Sequence, residues 1–128
     1  GDYRHLSEKD ILFIPGSDNI GQLMAESDLA LAASGYVKYE LAALGVPTVL
    51  VSVVDHQEIL GEVFAHQSRC AHYTGHILRE SPQTFADALR QLIKNRAKRQ
   101  SYAAEGRKLV DGQALTRITE KILWMSQN

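Results

Sequence analysis

The sequence predicts an α/β fold, a Rossmann-like parallel sheet flanked by helices. Three observations carry that expectation. The strand-like runs are short and apolar on both faces, helical segments follow each of them, and Gly or Pro marks many of the junctions. Residues 10–14 (Asp-Ile-Leu-Phe-Ile), stopped by Pro15-Gly16, read as a first buried strand. Ser17, Asp18 and Asn19 offer capping groups to a helix over residues 20–25. Residues 28–32 read as a second strand, and Ala33-Ser34-Gly35 as a small-residue turn into a helix over 36–44. Gly45 closes that helix and Pro47 prevents its continuation. Residues 48–54 are the strongest strand signal, rich in β-branched side chains as strands covered on both faces tend to be.

A helix over residues 58–67 and a weaker strand over 70–73, ended by Thr74-Gly75, come next. Ser81-Pro82 opens a helix with Pro at its first position. Phe85, Ala88, Leu89, Leu92 and Ile93 form its apolar face. A second helix runs to about Val110. Asp111-Gly112 breaks it, and Leu115, Ile118, Ile122 and Met125 stripe a last one. Four strands are expected in all.

The chain has 128 residues, 45% hydrophobic and 23% charged, which suits a single domain over residues 1–128. It shows no repeat, linker or low-complexity segment. A single cysteine, Cys70, excludes an internal disulfide and a multi-cysteine metal cage. No apolar run approaches the length of a membrane span and no leader pattern is present, so a cytoplasmic location is expected.

The net charge of −1 hides a split. Residues 1–64 carry ten acids and three bases, whereas residues 65–128 carry five acids and eleven bases. The basic stretch at residues 94–99 lacks interleaved aromatics and joins two helices. It reads as a solvated helix face, and no nucleic-acid partner is expected.

In open parallel sheets, ligands bind beyond the carboxyl ends of the strands. That rule selects the loops at residues 15–19, 33–35, 55–57 and 74–76. The Ala33-Ser34-Gly35 turn leaves a backbone open to close approach, with a helix N-terminus behind it that suits phosphate. Glu40, about a turn and a half on, has two readings: a ribose-binding carboxylate or a solvated helix residue. Asp55-His56-Gln57 also has two, which are compatible. These side chains can bond a diphosphate or a sugar, and Asp55 with Glu58 can form a capping box. Neither a catalytic base nor metal spacing among the histidines is evident. Cys70 reads as a packed thiol.

Residues 24–57 contain Asp28-Leu29-Ala30-Leu31-Ala32-Ala33-Ser34-Gly35, then Tyr39-Glu40-Leu41, Gly45-Val46-Pro47-Thr48 and Asp55-His56-Gln57. This stretch resembles the C-terminal nucleotide-sugar-binding domain of GT-B glycosyltransferases. The likeness is to the MurG-like superfamily, in the branch of spore-coat polysaccharide proteins and UDP-sugar hydrolases. Val110-Asp111-Gly112 with Arg117-Ile118 resembles a second signature of that branch. The resemblance covers roughly residues 11–76 and 108–122.

It implies that Phe13 and Ile14 face the base and that Ala33, Ser34, Gly35 and the adjoining Tyr36 surround phosphate. Glu40 would hold ribose, and His56 and Gln57 would lie near the diphosphate or sugar. The implied ligand is a UDP- or CMP-linked amino sugar for surface polysaccharide or nonulosonic acid synthesis, with no cofactor and no metal. Ser34-Gly35 stands where the family has Gly-Gly, Val37 where it has Thr, and Ala114 where it has Gly.

The family's first strands and N-terminal domain, which holds the catalytic base, would precede Asp10. The chain is therefore expected to be a fragment or split half, inactive alone, with an open sheet edge that favours self-association. Two alternatives remain: a binding or assembly subunit that needs a partner chain, and a fold-retaining domain without ligand.

Overall fold

In the computed structural model, residues 11–16 and 18–128 are described. The sheet has three parallel strands in the order β1 (Ala30–Ala33), β2 (Thr48–Ser52), β3 (Ala71–His76). Among the described residues six helices accompany them: α1 (Ile20–Ala25), α2 (Val37–Ala43), α3 (His56–Ser68), α4 (Pro82–Lys94), α5 (Arg96–Leu109) and α6 (Ala114–Gln127). This is the expected α/β, Rossmann-like arrangement. Among the described residues no helix is long and apolar enough to cross a membrane.

Strand β2 sits at the centre, and all five of its residues are buried. Alternation sends successive side chains to opposite faces. Leu50 packs with Ala42 of α2 and Phe64 of α3, together with Cys70 and Ala71. Val49 packs on the other face with Ala88 and Leu92 of α4, and with Tyr102 of α5. Three hydroxyls of the sheet are satisfied within it or just beside it. Thr48 donates to the Val46 carbonyl at 2.9 Å, Thr74 donates to the Leu50 carbonyl at 2.9 Å, and Ser52 shares a 2.9 Å bond with the Tyr73 hydroxyl.

Helix α2 ends as its sequence predicts. Gly45 adopts φ +68°, its N–H reaches the Ala42 carbonyl, and the Val46 N–H reaches that of Leu41. This is a Schellman closure, and Pro47 then starts the descent into β2. The four bases of the joint between α4 and α5 do not all have the same role. Arg99 folds back to donate to the carbonyls of Leu92 and Ile93, so one cation of the basic stretch closes α4 instead of facing solvent.

Three expectations are corrected. Residues 11–14 form no strand, and Phe13 is 83% exposed. An apolar run becomes a strand only where a neighbour takes its backbone hydrogen bonds, and no strand among the described residues does so. Asp10 and Ser17 lie outside the described residues. Among the described residues the sheet accordingly has three strands, where four were expected. Residues 74–76 are not a strand-end loop, because β3 continues through them with an irregularity opposite residues 50–52. The apolar stripe of α6 is present, but Leu115, Ile118, Ile122 and Met125 are all exposed.

Helix α5 reaches α2 through a glycine. A Cβ on Gly106 would lie 2.7 Å from the Ala42 carbonyl oxygen and 3.1 Å from its Cα. Backbone cannot retreat as a side chain can. Gly106→Ala is therefore expected to destabilise the fold by about 1–3 kcal/mol, despite alanine's better helix propensity. Chemical denaturation checks this, and an unchanged or raised midpoint refutes it.

Candidate functional site

A cavity of about 360 Å³ opens beyond the carboxyl ends of β1 and β2, between α2 and α3. Its first wall is the β1–α2 turn, with Ser34, Gly35 and Tyr36, followed by Lys38 and Tyr39. Its second wall is α3, from His56 and Gln57 through Leu60, Val63 and Phe64 to Gln67. Five expected site residues, Ser34, Gly35, Tyr36, His56 and Gln57, thus meet in one place.

The other expected residues do not line it. Ala33 is the last residue of β1, immediately before the turn. Glu40 is exposed on α2, one helical turn beyond Tyr36 and so on the same face as the cavity mouth. Phe13 and Ile14 lie elsewhere, and Ile14 borders a separate depression with Asn19, Gln22 and Leu23.

The turn is less open in its backbone than its composition suggests. The Ser34 N–H already donates to the Val51 carbonyl and the Gly35 N–H to that of Ala33, both at 2.8 Å. Polar groups available to a ligand are therefore mainly side chains. Gln57 is held by its own Oε1, which accepts the Val53 N–H at 3.0 Å. Because that partner is a donor, the remaining amide nitrogen is fixed as Nε2, and it faces Gly35.

Lys38 is the residue that sequence reasoning missed. It is only 6% exposed, and its ammonium donates to the Gly35 carbonyl at 3.0 Å. The same nitrogen lies 4.8 Å from the Tyr39 ring centroid and 5.6 Å from that of Phe64. These two rings pack edge to face with centroids 5.3 Å apart. Desolvation pulls the Lys38 pKa below the ordinary lysine value. A lysine in a helix normally reads as solvated. The only sequence signal was its place three residues after the glycine of a strand-end turn.

Ser34 is 1% exposed, and its Oγ is a buried polar atom without a hydrogen-bond partner. It lies against Gly61 of α3, where a Cβ would meet Ser34 Oγ at 2.6 Å and Tyr73 Cδ2 at 2.9 Å. Gly61 lets α3 come close enough to form the second wall.

Beside the cavity, Asp55 and Glu58 do not form the expected capping box. Asp55 occupies the N-cap position of α3 in a helical backbone conformation with no side-chain cap bond. Both carboxylates instead pair with Arg79, whose second guanidinium nitrogen is 3.0 Å from Asp55. Buried His76 adds its Nε2, 3.4 Å from the same Asp55 oxygen, while its Nδ1 accepts the Leu78 N–H. Asp55, Glu58 and His76 are close enough together to suggest metal ligands. Arg79 already supplies the cation there, and the Leu78 bond assigns the His76 proton to Nε2, the nitrogen facing the carboxylate. The cluster ties the end of β3 to the start of α3, which holds His56 and Gln57 in place.

Elsewhere, His66 and His72 share a second cavity with Glu62 and Tyr102. Burial and then the Lys98 charge push the His72 pKa down. Cys70 is buried, and burial pushes its thiol pKa up, away from nucleophilic use.

No protein-family model and no solved structure matches the chain. It is similar to the spore coat polysaccharide biosynthesis protein SpsG of Bacillus subtilis (strain 168), with 29% identity over 107 residues. The match covers 83% of this chain and 31% of the relative, so the chain spans about a third of that protein's length.

The contact between Gly61 and Ser34 is testable by a double-mutant cycle. Gly61→Ala should cost about 1–3 kcal/mol. Ser34→Ala should be neutral or stabilising by up to roughly 1 kcal/mol, because it removes an orphaned hydroxyl. In combination, Ser34→Ala should recover part of the Gly61→Ala loss, with a coupling of at least about 0.5 kcal/mol. Strictly additive thermal melts would show that the two sites do not press on each other.

Proposed function

We propose that this chain is the nucleotide-sugar-binding part of a glycosyltransferase-like protein in polysaccharide biosynthesis, working in the cytoplasm. The observation that carries the reading is the meeting of Ser34, Gly35, Tyr36, His56 and Gln57 around one strand-end cavity in a chain similar to SpsG. A crevice beyond the carboxyl ends of parallel strands is where α/β folds hold nucleotides. The cavity is mixed in character. Leu60, Val63 and Phe64 offer apolar surface, while Gln57 and the turn offer polar groups.

In this reading the diphosphate lies over the Ser34–Gly35 turn, and the exposed Tyr36 ring stands at the mouth beside Glu40 for base and ribose. The ligand is a UDP- or CMP-linked amino sugar. The chain contributes position and charge, and acid–base chemistry comes from a further domain or partner chain. Hydrolysis and transfer are both compatible with that division of labour.

Titration with UDP, UDP-GlcNAc and CMP, followed by amide chemical shifts, tests the reading. Perturbations should centre on Gly35, Tyr36, Glu40 and Gln57, and a flat response to all three ligands removes it. Gly35→Ala separates binding from folding. Gly35 has no positive φ, and an added Cβ would find only Gln57 Nε2, at 3.7 Å. The variant should keep its stability within about 0.5 kcal/mol and bind at least roughly tenfold more weakly, because the methyl fills the approach between turn and amide. Unchanged affinity in a folded Gly35→Ala protein would move the ligand away from this turn.

A further inference from the structure

We propose that Lys38 is the anion anchor of the cavity, its buried ammonium acting with the Gln57 amide to bind the phosphate groups of the ligand. The identity of that ligand rests on the nucleotide-sugar reading above, whereas the anion preference rests on the geometry around Lys38 itself. A lysine 6% exposed ordinarily has a carboxylate partner, because an unpaired buried charge is costly. Lys38 has none among the described residues. No Asp or Glu is among the described residues that line the cavity.

Among the described residues only one of the three ammonium N–H donors has a partner, the Gly35 carbonyl, so two remain for a ligand. The Tyr39 and Phe64 rings hold the charge in place without neutralising it. On the facing wall, Gln57 is locked by the Val53 N–H with its Nε2 turned toward Gly35, and that nitrogen has no acceptor among the described residues. Two donor groups from α2 and α3, one of them cationic, therefore flank the same glycine. An anion seated there would relieve a desolvated charge and use both.

The remaining titratable groups on the cavity wall are Tyr36, Tyr39 and His56. Helix α1 carries none, and α5 meets α2 at its far end, through Gly106 and Arg107 near Ala42 and Gly45. Desolvation lowers the Lys38 pKa from 10.5, and a bound anion, by favouring the charged form, should raise it again. The sign for binding follows. The ammonium form binds, so affinity should fall as pH rises through the lowered Lys38 pKa, earlier than an ordinary lysine would allow.

The experiment measures pyrophosphate and UDP-GlcNAc binding by calorimetry to wild type, Lys38→Met, Lys38→Arg and the exposed-lysine control Lys94→Met. Side-chain nitrogen NMR of Lys38 in the wild type provides a readout that needs no variant to fold. Lys38→Met should weaken both ligands roughly ten- to a hundredfold and flatten the salt dependence. Lys94→Met should change neither. Lys38→Arg should keep binding at the alkaline pH where wild type loses it, since its charge persists. Pyrophosphate should move the Lys38 titration upward.

Wild-type binding of UDP-GlcNAc that Lys38→Met leaves intact overturns the anchor and spares the nucleotide-sugar reading. Lys38-dependent binding of pyrophosphate without any nucleotide-sugar binding does the reverse. No binding of either ligand, or a Lys38 signal indifferent to pyrophosphate, overturns the anchor outright.

Discussion

The sheet and the helices packed on it are placed by the burial of strand β2. Residues Thr48–Ser52 are covered on both faces, so helices must approach from two sides. Val49 and Leu50 are each fully buried, and side chains of that size contribute about 1.5–3 kcal/mol apiece when removed from water. The cost is that Thr48 and Ser52 are buried too. Their hydroxyls are satisfied by the Val46 carbonyl just before the strand and by Tyr73, and the second bond ties β2 to β3. Strand β1 and strand β3 then flank β2 in parallel, and their carboxyl ends open on one side.

That side becomes a site because two helices arrive by different means. Helix α2 is short, and its direction is set at one end by the turn at Gly35 and at the other by the Schellman closure at Gly45. Helix α3 is longer. Its N-terminus is held by Asp55 and Glu58 on Arg79, and its middle is drawn in by Gly61 over Ser34. The gap left between them is the cavity. Ser34 shows the tension in this arrangement, since its hydroxyl is buried by Gly61's approach and left without a partner. Such an orphan costs about 1–3 kcal/mol in general, and it persists where a close approach is worth more.

Local signals made the centre of this fold legible. The run at residues 48–54 announces a doubly covered strand, and Gly45-Val46-Pro47 announces the end of α2. Both signals act within a few residues. What depends on distant neighbours was not legible. The run at residues 11–14 has strand composition but gains no partner. Thr74 and Gly75 have turn composition, yet the Thr74 hydroxyl reaches the Leu50 carbonyl and the strand continues. Asp55 and Glu58 have capping-box spacing, but an arginine more than twenty residues later takes both carboxylates. The candidate site divides the same way. The strand-end rule brought out Ser34, Gly35, His56 and Gln57, whereas the burial of Lys38 comes from Phe64, which the local sequence around Lys38 cannot reveal.

The charge split ends with a reversed emphasis. The bases of the second half read as solvated helix residues, but three of them have structural work. Arg79 binds two carboxylates, Arg99 closes α4, and Arg117 pairs with Asp111 at the start of α6. The Asp111–Arg117 pair is exposed, and hydrogen bonding between the two pulls the Asp111 pKa down and pushes the Arg117 pKa up. In the acidic half, Lys38 is the only base among the described residues, and it is buried with no carboxylate to meet it. The described acids of that half leave it alone because they are exposed or, in the case of Glu58, taken by Arg79, while Lys38 points inward between two rings. A net charge counted along the chain therefore says little about where an anion would bind. The relevant quantity is the local balance inside one cavity, which among the described residues is the positive charge of Lys38 with no acidic wall.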